Sequence, residues 1–268
     1  MKRIITLLQI LFLCVFVGCG GYIAKMFYDK SQTEKEMDEL RGMIELQEEE
    51  YNAQIDGAEE QTDIGQPQDT AEKYDQNGML SRYSDLYARN NEMFGWLKID
   101  GTVIDYPVVR NGASNAYYLH KNFDKKYSYA GIPFADYQCS AESENIIIYA
   151  HNMNNGTMFR ELLKYSSKDF YQKNMNISFD TLYNRYVYRI IAVFRTAVGA
   201  SDEFKYYEFT NAEDEVDFDI YVQECIKRSL YKTGETAHYG ENLLTLSTCS
   251  YNRKNERFVV VAKRIAEK

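Results

Sequence analysis

Proline, histidine and tryptophan are scarce in this 268-residue chain, with 3, 3 and 1 respectively. The three histidines (120, 151 and 238) are scattered, and no two of the 5 cysteines stand in Cys-x-x-Cys spacing. The local ligand pairs of a zinc site are therefore missing, and no metal or other cofactor is expected. A basic surplus is missing too: 31 Lys and Arg face 40 Asp and Glu, for a net charge of −9. Without a basic face to displace phosphate counterions, nucleic acid is not an expected partner. The acidity belongs to one stretch, since residues 31–72 carry 14 acids and 2 bases while residues 73–268 balance. What is present is apolar. At 45% hydrophobic and 15% aromatic residues the chain can bury a real core, which excludes wholesale disorder. Its length allows one or two domains.

The longest apolar run, Ile4 to Ala24, follows Lys2 and Arg3. As a helix it spans about 30 Å, the thickness of a bilayer's hydrocarbon core. An uncleaved membrane anchor is the preferred reading. A lipoprotein signal at Gly18-Cys19-Gly20 and a cleaved signal peptide compete with it, and all three place the remainder outside the cytoplasm. Residues 31–60 set Met37, Leu40, Ile44, Tyr51 and Ile55 at helical spacing among glutamates, predicting an amphipathic stalk helix. Gly65 to Asp69 reads as a linker. Three parts are thus expected: an anchor over 1–30, an acidic stalk and linker over 31–72, and a folded domain over 73–268.

In that domain a short helix carrying Leu80, Tyr83, Leu86 and Tyr87 precedes a hairpin, in which Trp96 to Ile99 and Thr102 to Val109 flank an Asp100-Gly101 turn. Gly131 to Phe134, Asn145 to His151, Tyr186 to Val198, Leu243 to Cys249 and Arg257 to Ile265 also read as strands. Helices are expected near 158–173 and 212–231. The acids opening the latter, from a Thr210-x-x-Glu213 capping box to Asp219, suit a helix N-terminus and lack EF-hand spacing. Many strands with few strand–helix–strand alternations favour a closed β-barrel with appended helices.

With Cys14 and Cys19 in the apolar run, Cys139, Cys225 and Cys249 remain for the folded part. Three cannot all pair, so at least one thiol is free. Cys249 closes one strand and Arg257 opens the next. If the loop between them closes a hairpin in symmetric register, the two are directly opposed on one face. A cation beside a thiol lowers its pKa and offers a donor to a developing oxyanion. Arg253 and Lys254, in mid-loop, are the runners-up. His151 ends a second apolar run, a setting that is more often that of a surface histidine than of a catalyst, whereas His120 and His238 have no comparable setting and read as structural.

Taken together, Tyr149-Ala150-His151-Asn152-Met153, then Thr245-Leu246-Ser247-Thr248-Cys249, then an arginine opening a Val-rich strand, resemble the sortase family over residues 80–268. The predicted helix at 212–231, the N-terminal helical extension, and Gly95 to Ile99 with Thr102 to Val108 resemble its class B in particular. Ala150 departs from the glycine often found before the family's histidine. The resemblance implies a mainly β (α+β) fold: a closed sortase-like barrel with an N-terminal helical extension and a long helix inserted before the cysteine strand. It also implies a membrane-anchored cysteine transpeptidase, which cuts a C-terminal sorting signal of surface proteins after Thr. The acyl group is held as a thioester and passed to an amine of the cell wall, on a peptidoglycan precursor or cross-bridge. Cys249 would be the nucleophile, His151 the acid and base, and Arg257 the oxyanion and positioning group. Asn115, Leu119, Tyr149 and Ser247 would touch substrate. A papain-like thiol hydrolase would need its cysteine ahead of its histidine. A non-catalytic surface adhesin would give these three residues nothing to do.

At reference pKa values near 8.5 and 6.5, about 3% thiolate and about a quarter imidazolium coexist at pH 7, so roughly 1% of molecules would hold both.

Overall fold

The computed structural model describes residues 2–59, 74–199, 204–250 and 255–267. Eight strands close a barrel in the order β1-β2-β3-β4-β7-β8-β6-β5. They are β1 (Met93–Lys98), β2 (Asp105–Val109), β3 (Phe134–Ala135), β4 (Asn145–Tyr149), β5 (Asn176–Thr181), β6 (Arg185–Ala197), β7 (Leu243–Ser250) and β8 (Glu256–Glu267). Leu97, Val108, Ile148, Phe179, Ile190, Leu244, Leu246 and Val260 fill the interior. The closed, mainly β fold with appended helices agrees with the sequence expectation.

At the start of the chain, one helix, α1 (Lys2–Glu59), runs through both the apolar run and the acidic segment. Its first part, Arg3–Gln47, contains a window long and apolar enough to cross a membrane. The middle of this helix is more than a solvated stalk. Met37, Leu40 and Ile44 are buried in the same core cluster as the barrel interior and as Leu80, Tyr83 and Leu86 around the short helix α2 (Ser84–Arg89). Arg89 bridges Glu39 and Asp124, and Arg41 donates to the Asp105 carbonyl. The acidic helix is thus docked along the barrel. The side chains of Tyr51 and Ile55, and the predicted linker at Gly65 to Asp69, lie outside the described residues.

Details of the barrel differ from expectation for local physical reasons. Asp100 and Gly101 lie in a wider loop, because the ladder ends at Lys98 opposite Asp105; Gly101, at φ 74°, takes the left-handed corner. The strand predicted from Gly131 shrinks to two residues, since Gly131 is left-handed at φ 61° and Pro133 has no N–H to donate. β5 was not expected: Ile177 and Phe179 alternate with Asn, Ser and Asp in a stretch too polar to stand out. The segment near 158–173 divides into a 3-10 helix (Phe159–Ser166) and the helix α3 (Lys168–Lys173), which Ser167 caps.

The helix predicted over 212–231 is α4 (Glu215–Arg228). Its cap is Asp214 rather than Thr210. Asp214 accepts from the Asp217 N–H at 2.9 Å and Asp217 accepts from the Glu213 N–H at 3.1 Å, so these acids serve the helix end. α4 packs Phe218, Tyr221, Val222 and Cys225 on the outside of the barrel, against Ile191, Phe194, Leu243, Val259 and Val261.

Candidate active site

Three adjacent strands bring three distant residues into line. β4 and β7 run parallel, with Asn145 beside Leu243 and Tyr149 beside Ser247, a constant offset of 98 positions. The pairing persists past β4, since the Ala150 N–H donates to the Ser247 carbonyl and Thr248 Oγ1 donates to the Ala150 carbonyl at 2.8 Å. Asn152 Nδ2 then donates to the Cys249 carbonyl at 2.8 Å. Extended by two residues, the register sets His151 level with Cys249. On the other side β7 and β8 are antiparallel, with Cys249 directly opposite Arg257. His151, two residues past the end of β4, thus falls in line with Cys249 and Arg257, which face each other on strands about 4.8 Å apart. Odd-numbered residues of β7 and β8 face outward, as Leu243, Val259 and Val261 do beneath α4. The row lies on the barrel's outer surface, beyond the helix's cover. Arg253 and Lys254 lie outside the described residues.

The thiols differ in surroundings. Cys139 and Cys225 are buried, and Cys249 is half-buried. Burial pushes Cys139 up to about 11 and raises Cys225 further still, so neither ionises near neutrality. Cys249 is the accessible thiol of the barrel.

His151 is half-buried, and its Nε2 lies 2.8 Å from the Leu119 carbonyl. A carbonyl can only accept, so Nε2 carries a proton in both charge states and Nδ1 is the nitrogen that titrates. Burial lowers the His151 pKa below 6.5 and the nearby His120 adds to this, while the bond to Leu119 opposes it. The imidazolium fraction at pH 7 thus falls below the roughly one quarter of an unperturbed ring.

Leu119 is itself held by a close approach. Gly131 presses against it so tightly that a Cβ there would sit 2.4 Å from the Leu119 oxygen. The other residues expected to contact substrate are tied into the same surface. Asn115 Nδ2 and Tyr149 Oη both donate to Asp136 Oδ2, at 2.7 and 3.0 Å. Ser247 differs: it is buried, and its Oγ pairs with Tyr206 Oη at 2.7 Å beneath that surface.

The rung beyond the row escaped sequence reasoning. Ser250, opposite Glu256, donates to its carboxylate at 2.6 Å and accepts from Arg195 of β6, whose guanidinium lies 3.7 Å from that carboxylate. This buried cluster fastens the mouth of the β7–β8 hairpin next to Cys249 and Arg257. Asp136, Asn152 and Tyr206 were missed as well, because each acts through a contact made only in the fold. Among the described residues no group of three or more His, Cys, Asp or Glu could hold a metal ion.

A family model described as Sortase domain matches residues 97–265. The chain belongs to the sortase family. Sortase B of Listeria monocytogenes is 35% identical over 187 residues, 68% of this chain and 74% of that protein. Sortase B of Staphylococcus aureus is 25% identical over 269 residues, 99% of this chain and 98% of its own length. Among solved structures, sortase B from B. anthracis in complex with AAEK1 has a TM-score of 0.70 at 26% identity, covering 89% of this chain and 99% of that one. A sortase B complexed with triglycine has a TM-score of 0.63 at 29% identity, covering 69% and 85%. The chain is accordingly a class B sortase, a cysteine transpeptidase.

Proposed function

We propose that this sortase cleaves a C-terminal sorting signal after Thr and passes the acyl group to a cell-wall amine, with Cys249, His151 and Arg257 as the working row. The observation that carries this reading is the shared register of the three residues. The Cys249 thiolate attacks the scissile carbonyl, and Arg257 donates to the oxygen as it gains charge. Collapse of the adduct breaks the C–N bond, and the His151 imidazolium gives its Nδ1 proton to the leaving amine. The thioester then meets an acceptor amine, whose proton returns to Nδ1 as the thiolate departs. Triglycine, bound by a related sortase B, supports an amine of the oligoglycine kind as acceptor. Asn115 and Tyr149, joined through Asp136, with Leu119, form the walls along which the sorting peptide lies, and Ser247, buried under Tyr206, backs them.

Residues 1–30 anchor the protein, with residues 4–24 crossing the membrane once and residues 73–268 forming an extracellular catalytic domain. The middle of α1 is a docked brace between the two. The test is incubation of the full chain, in detergent, with sorting-signal peptides with and without triglycine. The expected result is a mass-shifted acyl adduct on Cys249 and an amide product that replaces the acid when triglycine is present. Acid alone, at an unchanged rate, would make the protein a thiol hydrolase. No adduct and no cleavage of any peptide would favour a binding role.

A further inference from the structure

His120 belongs to the turn before the short bridge between Lys121 and Tyr127, and its carbonyl accepts from the Ser128 N–H at 3.0 Å. That bond holds its backbone, and its exposed ring is held by stacking. The His120 and His151 rings are 5.4 Å apart between centroids and inclined by 25°. Tyr127 and Tyr129 stack on His120 too, at 6.4 and 6.5 Å. The dipeptide Leu119–His120 therefore grips His151 twice, by the Leu119 carbonyl at Nε2 and by the His120 ring on its face. One contact fixes which nitrogen titrates, and the other fixes the ring plane and therefore the direction in which Nδ1 points.

We propose that His120 is a positioning residue for the transfer reaction, which orients the His151 ring by stacking and, when protonated, opposes the charging of that ring. The proposal rests on the reading of His151 as the acid and base. A positive charge on the His120 ring opposes one on the His151 ring stacked against it. Tyr127 and Tyr129 face His120 from the loop, and Cys249 and Arg257 are paired on the neighbouring strands of the sheet. From α1, Lys25 and Asp29 line the same cleft as Tyr129 and Asn152. Lys25 and Asp29 are themselves 3.7 Å apart and offset one another.

Two substitutions separate orientation from charge in the full chain. His120→Phe keeps a flat stacking ring and removes the charge, while His120→Ala removes both. With selectively labelled histidine, the titration of His151 is followed by imidazole NMR beside the pH profile of kcat/KM. His120→Ala should lower kcat by about tenfold with little change in KM, since a tilted ring misdirects its proton. His120→Phe should restore most of that loss, and in both variants the His151 midpoint should rise, because a neighbouring positive charge has gone. An unmoved His151 midpoint in both variants overturns the proposal, as does a His120→Phe enzyme no better than His120→Ala. If His151→Ala keeps full activity, the acid–base assignment fails instead, and the NMR titration still reads the coupling of the two rings.

Discussion

Alternate residues of β7 meet two different surroundings. Leu244 and Leu246 point into the barrel against Phe258, Val260 and Ala262 and carry nothing but packing. Thr245 and Ser247 point out and are covered by tyrosines. Asn145 Nδ2 donates to Tyr221 Oη, which shares a hydrogen with Thr245 Oγ1, and Thr245 donates back to Asn145 Oδ1 at 2.9 Å. Ser247 has Tyr206. One step further the cover ends and Cys249 is reached by solvent. The outer face is thus a satisfied polar row that opens only at its reactive member, and one strand separates stability from chemistry by parity.

Substitutions can break that separation, beginning with the largest effect. Cys249→Ala should abolish both acid and amide products while the thermal midpoint stays near that of the parent, and Cys249→Ser should be nearly as inactive. Peptide cleavage by the alanine variant would end the assignment. On the inner face, Leu246→Ala should cost about 2–5 kcal/mol of stability in a denaturant titration, with kcat per folded molecule unchanged. Arg257→Ala, on the outer face, should lower kcat/KM by about a hundredfold or more without such a loss, whereas Arg253→Ala should do little. Tyr206→Phe should have the smallest effect, about 1 kcal/mol of stability from one lost hydrogen bond, and an activity loss larger than its stability loss would show that Ser247 is more than wall.

Two further measurements sharpen the comparison. Gly131→Ala displaces the Leu119 carbonyl and so should reduce turnover while sparing the thiol's reactivity toward a small alkylating probe. Equal loss in both assays would mean that the whole surface has shifted. The pH dependence follows from the lowered His151 pKa. In the unfolded chain the ring titrates near 6.5 and in the fold below it, so the unfolded state binds the proton more readily. Its contribution should therefore be fully present above about pH 6.5 and be lost as pH falls through the folded value. His151→Gln should flatten that part of a stability profile below about pH 6.5.

Much of this was legible in the sequence because strands write their register in their length and pattern. Leu243 to Cys249 and Arg257 to Ile265 are unbroken β-formers, and counting back from the loop between them opposes Cys249 to Arg257, as the ladder does. The candidate residues of the row could be named for the same reason. The docking of α1 was not legible. Met37, Leu40 and Ile44 announce an apolar stripe but not its partner, and an acidic surround reads as solvent. Removing residues 1–30 should accordingly leave the thermal midpoint almost unchanged, while removing residues 1–72 should lower it by uncovering that stripe. His120 was hidden too, since a histidine in a polar turn has no periodic signature and its stacking depends on a loop closing against β4.

The parallel pairing of β4 with β7 also governs when the enzyme can exist. Neighbours 98 residues apart must find each other before His151 stands beside Cys249, and everything from α3 to α4 lies in the loop they close. Pairings of such long sequence separation form slowly, because the chain entropy is lost before the contacts compensate for it. An emerging or half-folded chain therefore holds Cys249 without His151 beside it, although Arg257 lies only eight residues away across the local β7–β8 hairpin. Their separation during folding is built into the topology, and Cys249 and His151 come level only when the barrel closes.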